Sequence, residues 1–356
     1  MSTRKYPGLF DIAERTEKLA QMGDPLVGLN ERIDWEAFRV DLCQVHEKPR
    51  KSNAGAKPID VVLMFKILVL QQLHNLSDDR IEYQIRDRLS FMRFLGLQFE
   101  DRVPDAKTVW LFRERLKDAG LVTALFARFH EQLAKQGYAA RAGQMIDATF
   151  IEVPRQRNTR EENAQIKADE TPVEWKQPET KAKLRQKDID ARWTKKNHEN
   201  HYGYKNHVNV DQANKLIQHF VVTDAAVHDS QAFDFLLDDK EQKDGSKREV
   251  YADSAYRSQE TEAQLTATGM VSQICEKGVR DRPLTDMQKT MNRAKSRVRA
   301  RVEHVFGAQA QMGGHIVRTI GATRAWVKVG MMNIVYNMVR LVQLYKRDRR
   351  DAPAAA

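Results

Sequence analysis

The hydrophobic period of this chain changes at Gly143, and that change fixes most of what the chain can fold into. Ahead of it, apolar residues recur at helical spacing. In PIDVVLMFKILVLQQLHNLSDDRIEYQIRDRLSFMRFLG, Leu63, Ile67 and Leu70 share one face, Pro58 stands where a helix can start, and Ser77 or Asp78 can cap the next helix. PDAKTVWLFRERLKDAG places Pro104 and Asp105 before a further helix, carries Lys107, Arg113, Arg115 and Lys117 along it, and ends at Gly120. Short helices ending in a basic one fit a DNA-reading domain, and fit equally a helical bundle with no nucleic-acid role. After Gly143 the period shortens: Gln144 to Val153 is a β-branched, apolar run closed by Pro154, which reads as a strand.

The rest follows from the same signals. YGYKNHVNVD and LIQHFVVTDA, joined by QANK, read as an antiparallel hairpin. DSQAFDFLLDD reads as a helix capped by Asp229 or Ser230, and REVYADSAYRS as a strand ending at Asp253. SQETEAQLTATG is a helix closed by Gly269, MVSQICEK a strand, and PLTDMQKTMNRAKSRVRARVEHVFG one long helix. A last amphipathic helix places Val327, Met331, Ile334, Met338, Leu341 and Tyr345 on one face and ends in a basic tail. This order predicts an α+β protein: an all-helical N-terminal domain over 1–140, a mixed five-stranded sheet flanked by helices over 141–322, and a C-terminal helix with its tail over 323–356. It is the element order of a ribonuclease H-like fold. The polar, charge-dense stretch over about 155–200 reads as a mobile insertion rather than core. Its Trp175 and Trp193 are the exceptions; an indole there either stacks on a base or packs back on the body, as at least one of the two is expected to do.

Charge narrows the partner. The 356 residues carry 59 Lys+Arg against 49 Asp+Glu, a formal net charge of +10 that suits a polyanion, although surplus surface lysines would give the same figure. Cys43 and Cys275 stand far apart and in no CxxC pattern, so reduced thiols in a cytoplasmic protein are expected, with neither a zinc site nor a disulfide framework. The N-terminus shows no apolar stretch of the secretory kind, and no run suits a membrane span.

Three carboxylates stand out by position. Asp147 lies on the first strand, Asp253 at the end of the fourth and Glu303 on the helix after the fifth. If the first and fourth strands are neighbours, two of these acids come side by side and the helix can add the third. Close like charges raise one another's pKa unless cations compensate them, and hard divalent ions bind carboxylate oxygens for that purpose. Each acid also has a plain alternative: Asp147 in a structural network, Asp253 starting a turn with Ser254, Glu303 paired with Arg299 one turn earlier. His198, His201 and His207 read as surface or phosphate-contacting residues rather than as a transition-metal site.

MIDATFIEVP, HYGYKNHVNVD, VTDAAVHDSQAF, VYADSAYRS and RVEHVFG, in that order, resemble the DDE transposases of bacterial insertion sequences, of the insertion-sequence-five type. The resemblance covers essentially the whole chain, including the helical N-terminal region. It implies that Asp147, Asp253 and Glu303 are the catalytic acids and the ligands of two Mg²⁺ ions, with Mn²⁺ able to substitute. It implies cleavage at terminal inverted repeats and strand transfer into target DNA, by a protein that is a homodimer on DNA and nucleoid-associated. Related groups carry a tyrosine, arginine and lysine around the third acid. Here Arg299 holds the arginine position, but Ser296 stands at that of the tyrosine and Ala310 at that of the lysine. Lys205, Arg257 and Arg301 are candidates to take over phosphate contacts, with Arg297, Arg299, Trp193, Lys107 and Arg113 as further DNA-binding residues. Two other readings remain: a metal-dependent nuclease of the same fold without strand transfer, and a transposase-derived, non-catalytic DNA-binding regulator.

Overall fold

The computed structural model describes residues 11–46, 57–138, 143–196, 198–238, 247–280 and 282–351. The chain divides into two compact units, one from residues up to Gln132 together with those from Met338 onward, the other spanning Leu133–Asn337.

The first unit is helical. Its central helix, Val61–Leu73, is apolar almost all round and buries Met64, Phe65, Ile67, Leu68 and Leu70. Pro58 does not start it; Asp60 caps it, because its carboxylate accepts from Val62 N and Leu63 N at 3.0 Å each and so satisfies two N–H groups that the first turn leaves open. Ser77 caps the next helix, Asp78–Asp87, and Asp105 caps Ala106–Asp118, which closes at Gly120 with φ +63°. Trp35 meets Phe94 edge-on at 5.5 Å, and Phe38 and Phe65 complete an aromatic core.

The second unit is a mixed sheet with flanking helices. Its strands are β1 (Gln144–Glu152), β2 (Arg192–Lys196), β3 (Glu199–Asp211), β4 (Ile217–Asp224), β5 (Glu249–Tyr251) and β6 (Val271–Ser272). The order is β2-β3-β1-β5-β6, with β4 also on β3. β1 runs antiparallel to β3 and parallel to β5, which in turn is parallel to β6. Among the described residues the sheet has six strands rather than five. The extra one, β2, comes from the stretch read as an insertion, and it finds a partner because β3 is 13 residues long: Tyr204–Val210 pairs with β4, leaving Glu199–Gly203 for β2. Gly203 is needed at that junction, since a Cβ there would lie 2.2 Å from the Ile151 carbonyl oxygen across the ladder.

The remainder of 155–191 is built structure too. Helix Arg160–Lys167 starts in a Thr159/Glu162 capping box, and the fully buried Trp175 donates its indole N–H to Glu162 Oε1 at 2.7 Å. One tryptophan therefore forms the buried centre of the segment, while Trp193 on β2 stays 46% exposed. The long basic helix is also interrupted: Asp286–Arg299 passes through a 3₁₀ turn, Ala300–Val302, before Glu303–Gln311 begins.

Ile146, Phe233, Leu236, Val250, Ala252, Tyr256, Leu265 and Ile274 form one core against the sheet. From the C-terminal helix Ala322–Asp351, the buried Asn333 exchanges amide hydrogen bonds with Asn206, and Asn337 takes the Ile217 N–H and donates to its carbonyl. Polar groups thus lock that helix in register where apolar packing alone would permit slippage.

Candidate active site

Strand alternation decides what β1 presents. Ile146 enters the apolar core, so Asp147 faces the other side of the sheet. The parallel pairing Gln144↔Val250 and Met145↔Tyr251 sets β5 beside β1, and Asp253 follows two residues after β5 ends. Asp253 caps the short turn Ser254–Tyr256 by accepting from Ala255 N at 2.8 Å. Glu303, the first residue of its helix, is exposed.

Asp147 feels the charges of the other two acids. Asp147 is buried, and its carboxyl is pushed up to about 6; burial is the main cause, Arg299 and the Ala148 N–H oppose it, and the charges of Asp253 and Glu303 add to it. Arg299 Nη1 donates to Asp147 Oδ2, while Oδ1 accepts from Ala148 N at 2.9 Å. Burial disfavours the Arg299 cation, yet Asp147 and Asp253 outweigh it and hold the guanidinium charged. Asp147 thus has a cation partner that keeps a carboxylate tolerable inside the fold. Among the described residues, no three His, Cys, Asp or Glu side chains converge closely enough to hold a metal ion.

Tyr256 also belongs to this neighbourhood. Its hydroxyl is wholly buried with no hydrogen-bond partner among the described residues, and burial, reinforced by Asp229, Asp147 and Asp253, raises it well above the usual phenol range. Its place three residues after Asp253, in VYADSAYRS, is the sequence signal for it. Asp229 is likewise not a helix cap: His228 takes that role, accepting from Ser230 N, and Asp229 is buried against Lys205. Burial pushes Asp229 up, but Lys205 at 2.8 Å and Lys196 at 3.6 Å outweigh it and leave the carboxyl below its ordinary range.

The basic candidates separate by what they already hold. Lys205 is buried and donates to Val227 O at 2.7 Å and Asp229 Oδ1. Arg257 spans Ile274 O, Glu276 and Glu262 at 3.1, 3.1 and 3.5 Å. In the first unit, Arg113 forks onto Asp78 with two 2.8 Å bonds and reaches Gln71 at 3.0 Å, whereas Lys107 is exposed. Arg297 is exposed and Arg301 half-buried. Trp193 stacks on Tyr202 at 4.8 Å, with the Arg155 guanidinium 5.6 Å from its ring.

Of the three histidines, His198 is exposed as expected, whereas His207 departs from a surface reading. His207 is fully buried, its Nε2 2.9 Å from Thr223 Oγ1, and burial drives its imidazole down to about 4. His201 stacks on Phe150 at 4.1 Å, half-buried, and His198 lies at φ +66°. At the two signature positions, Ser296 is half-buried 3.7 Å from Cys275 Sγ, and Ala310 is half-buried.

Residues 139–338, more than half of the chain, match the Transposase DDE domain family. The chain belongs to the DDE transposases. Residues 14–115 of this transposase also match the family described as Transposase domain (DUF772). Among solved structures, the transposase is similar to a piggyBac transposase in a cryo-EM synaptic complex with hairpin DNA, at 14% identity and a TM-score of 0.42, covering 95% of this chain and 84% of that one. Among its described residues, no helix is long and apolar enough to cross a membrane.

Proposed function

We propose that this transposase binds the terminal inverted repeats of an insertion sequence, cleaves DNA at their ends and joins the freed 3′ hydroxyls to target DNA, with Asp147, Asp253 and Glu303 as its catalytic acids. The observation that carries this reading is that Asp147, on β1 and raised mainly by burial, lies within reach of the charges of Asp253 and Glu303, which come from two other elements and add to that rise. A structural aspartate has no need of two further acids near it.

The donor set suits a hard divalent cation such as Mg²⁺ or Mn²⁺, since carboxylate oxygens are the ligands such ions take, and a buried acid of raised pKa gains most from a cation. Asp147, Asp253 and Glu303, which in the free chain do not converge closely enough for one ion, would have to draw together to hold two such ions. When bound, they supply activation of the attacking oxygen and neutralisation of the leaving one in an in-line phosphoryl transfer. The chain's own groups do the rest. Arg299, which neutralises Asp147, would also stand where its guanidinium can hold the scissile phosphate. Arg297 and Arg301, near it in sequence, contact neighbouring phosphates, and Lys107 does so from the helical unit. Trp193, stacked on Tyr202 with Arg155 beside it, offers a base an aromatic platform. Two transposon ends call for two protomers, hence a homodimer on DNA. The sheet order, with the first acid on a strand between an antiparallel hairpin and a parallel pair, supports a ribonuclease H-like scaffold.

The test is incubation of purified protein with Mg²⁺ or Mn²⁺ and a labelled duplex ending in the inverted repeat that flanks its gene. Cleavage at the repeat boundary with joined products supports a transposase; cleavage without joining leaves a nuclease, and binding without cleavage leaves a regulator.

A further inference from the structure

The basic end of the C-terminal helix, which no step above uses, forms one wall of a cleft in the first unit. Helix Pro25–Arg32 forms the other. The two meet at Gly28, where a Cβ would lie 2.8 Å from Val342 Cγ1, so a missing side chain sets their close approach. Beside that contact lies an open cleft of about 560 Å³ lined by Glu31, Arg32, Tyr345, Lys346, Arg349 and Arg350. Four cationic side chains thus face one carboxylate. The Arg32 guanidinium lies 3.3 Å over the Tyr345 ring, and that of Arg349 lies 5.9 Å from the same ring. Lys346, Arg349 and Arg350 are exposed, at helical spacings of three and four that put them on one face. Arg347 does not line the cleft and is paired with Asp348 at 2.8 Å.

We propose that this cleft holds a stretch of the sugar–phosphate backbone of duplex DNA, without base specificity. It rests on the DNA-binding reading above. Cations outnumbering carboxylates bind phosphates with release of counterions, and Arg32, braced on an aromatic face, presents a planar fork that matches a phosphate. Lys346 to Arg350 spans roughly 6 Å along the helix, about two base-pair steps of one strand. An open groove with its charges in a row suits a backbone track better than a single enclosed phosphate.

The experiment is fluorescence anisotropy of the full chain on a labelled duplex of arbitrary sequence, in EDTA, across a series of salt concentrations. It compares wild type with the triple variant Lys346→Gln/Arg349→Gln/Arg350→Gln, and with Arg347→Gln as a charge change outside the cleft. All four side chains are exposed, and circular dichroism verifies that the fold is kept. The triple variant is expected to bind more weakly and to flatten the slope of log affinity against log salt by about 2.7, at ~0.9 per lost phosphate contact, while Arg347→Gln leaves the slope at its wild-type value. An unchanged slope in the triple variant overturns the cleft, as does an equal loss per charge in Arg347→Gln. Absence of duplex binding by the wild type at any salt would instead sink the DNA-binding reading itself.

Discussion

The Arg299 guanidinium donates to the Asp147 carboxylate, pairing a half-buried cation on a helix with a buried acid on the first strand. Removing one member of such a pair strands the other, so Arg299→Gln is expected to cost about 3 kcal/mol in denaturant unfolding without divalent ions. If the acids accept a cation, millimolar Mg²⁺ or Mn²⁺ raises the melting temperature of Arg299→Gln by several degrees more than that of wild type. Equal shifts in the two proteins would show that cation and guanidinium do not compete for Asp147.

His207 gives the fold an acid-sensitive point. Its imidazole is neutral in the folded protein down to about 4, whereas in the unfolded chain it takes a proton near 6.5. Stability from this group is therefore complete above about pH 6.5 and is lost as pH falls toward 4, by up to roughly 3 kcal/mol. His207→Gln is expected to be less stable at pH 7 yet flatter between pH 6.5 and 4.5, as urea titrations at the two ends would record. Parallel pH profiles for the two proteins would remove His207 from the acid response.

Arg113 and Lys107 share a helix but should respond differently. Arg113 serves Asp78 and Gln71, so Arg113→Ala is expected to cost roughly 1–2 kcal/mol of stability, as expected for a half-exposed bidentate pair. Lys107→Ala is expected to leave unfolding unchanged and to flatten the salt slope of DNA binding by about 0.9. The reverse pattern, with Lys107 mattering to stability and Arg113 to salt dependence, would contradict both assignments.

The nearness of Asp147 and Asp253 was legible because strand order reports which elements are neighbours: once β1 and β5 are adjacent, the two acids come together. Helix starts at Ser77 and Asp105 were legible for the same local reason, a short acceptor before an apolar period. What composition concealed was the segment after Pro154. Its charge density suggests a mobile insertion, but one buried pair, Trp175 with Glu162, and one spare stretch of β3 suffice to fold it. Lys205 and Arg113 show the other limit, since a basic residue in a sequence looks the same whether it meets a phosphate or a carboxylate of its own chain. Asp229 and Tyr256 were hidden because their burial depends on tertiary neighbours that no local pattern encodes.

The most direct measurement compares Asp147→Asn, Asp253→Asn and Glu303→Gln with wild type for Mn²⁺-dependent cleavage of the inverted-repeat duplex, with binding of the same duplex followed in parallel. Each variant is expected to bind DNA within a few-fold of wild type and to lose more than about a hundredfold in cleavage, exceeding what loss of an outer-shell partner costs. Full cleavage by any one of them would contradict the assignment of that residue to the catalytic set, and full cleavage by Asp147→Asn would contradict the site as a whole.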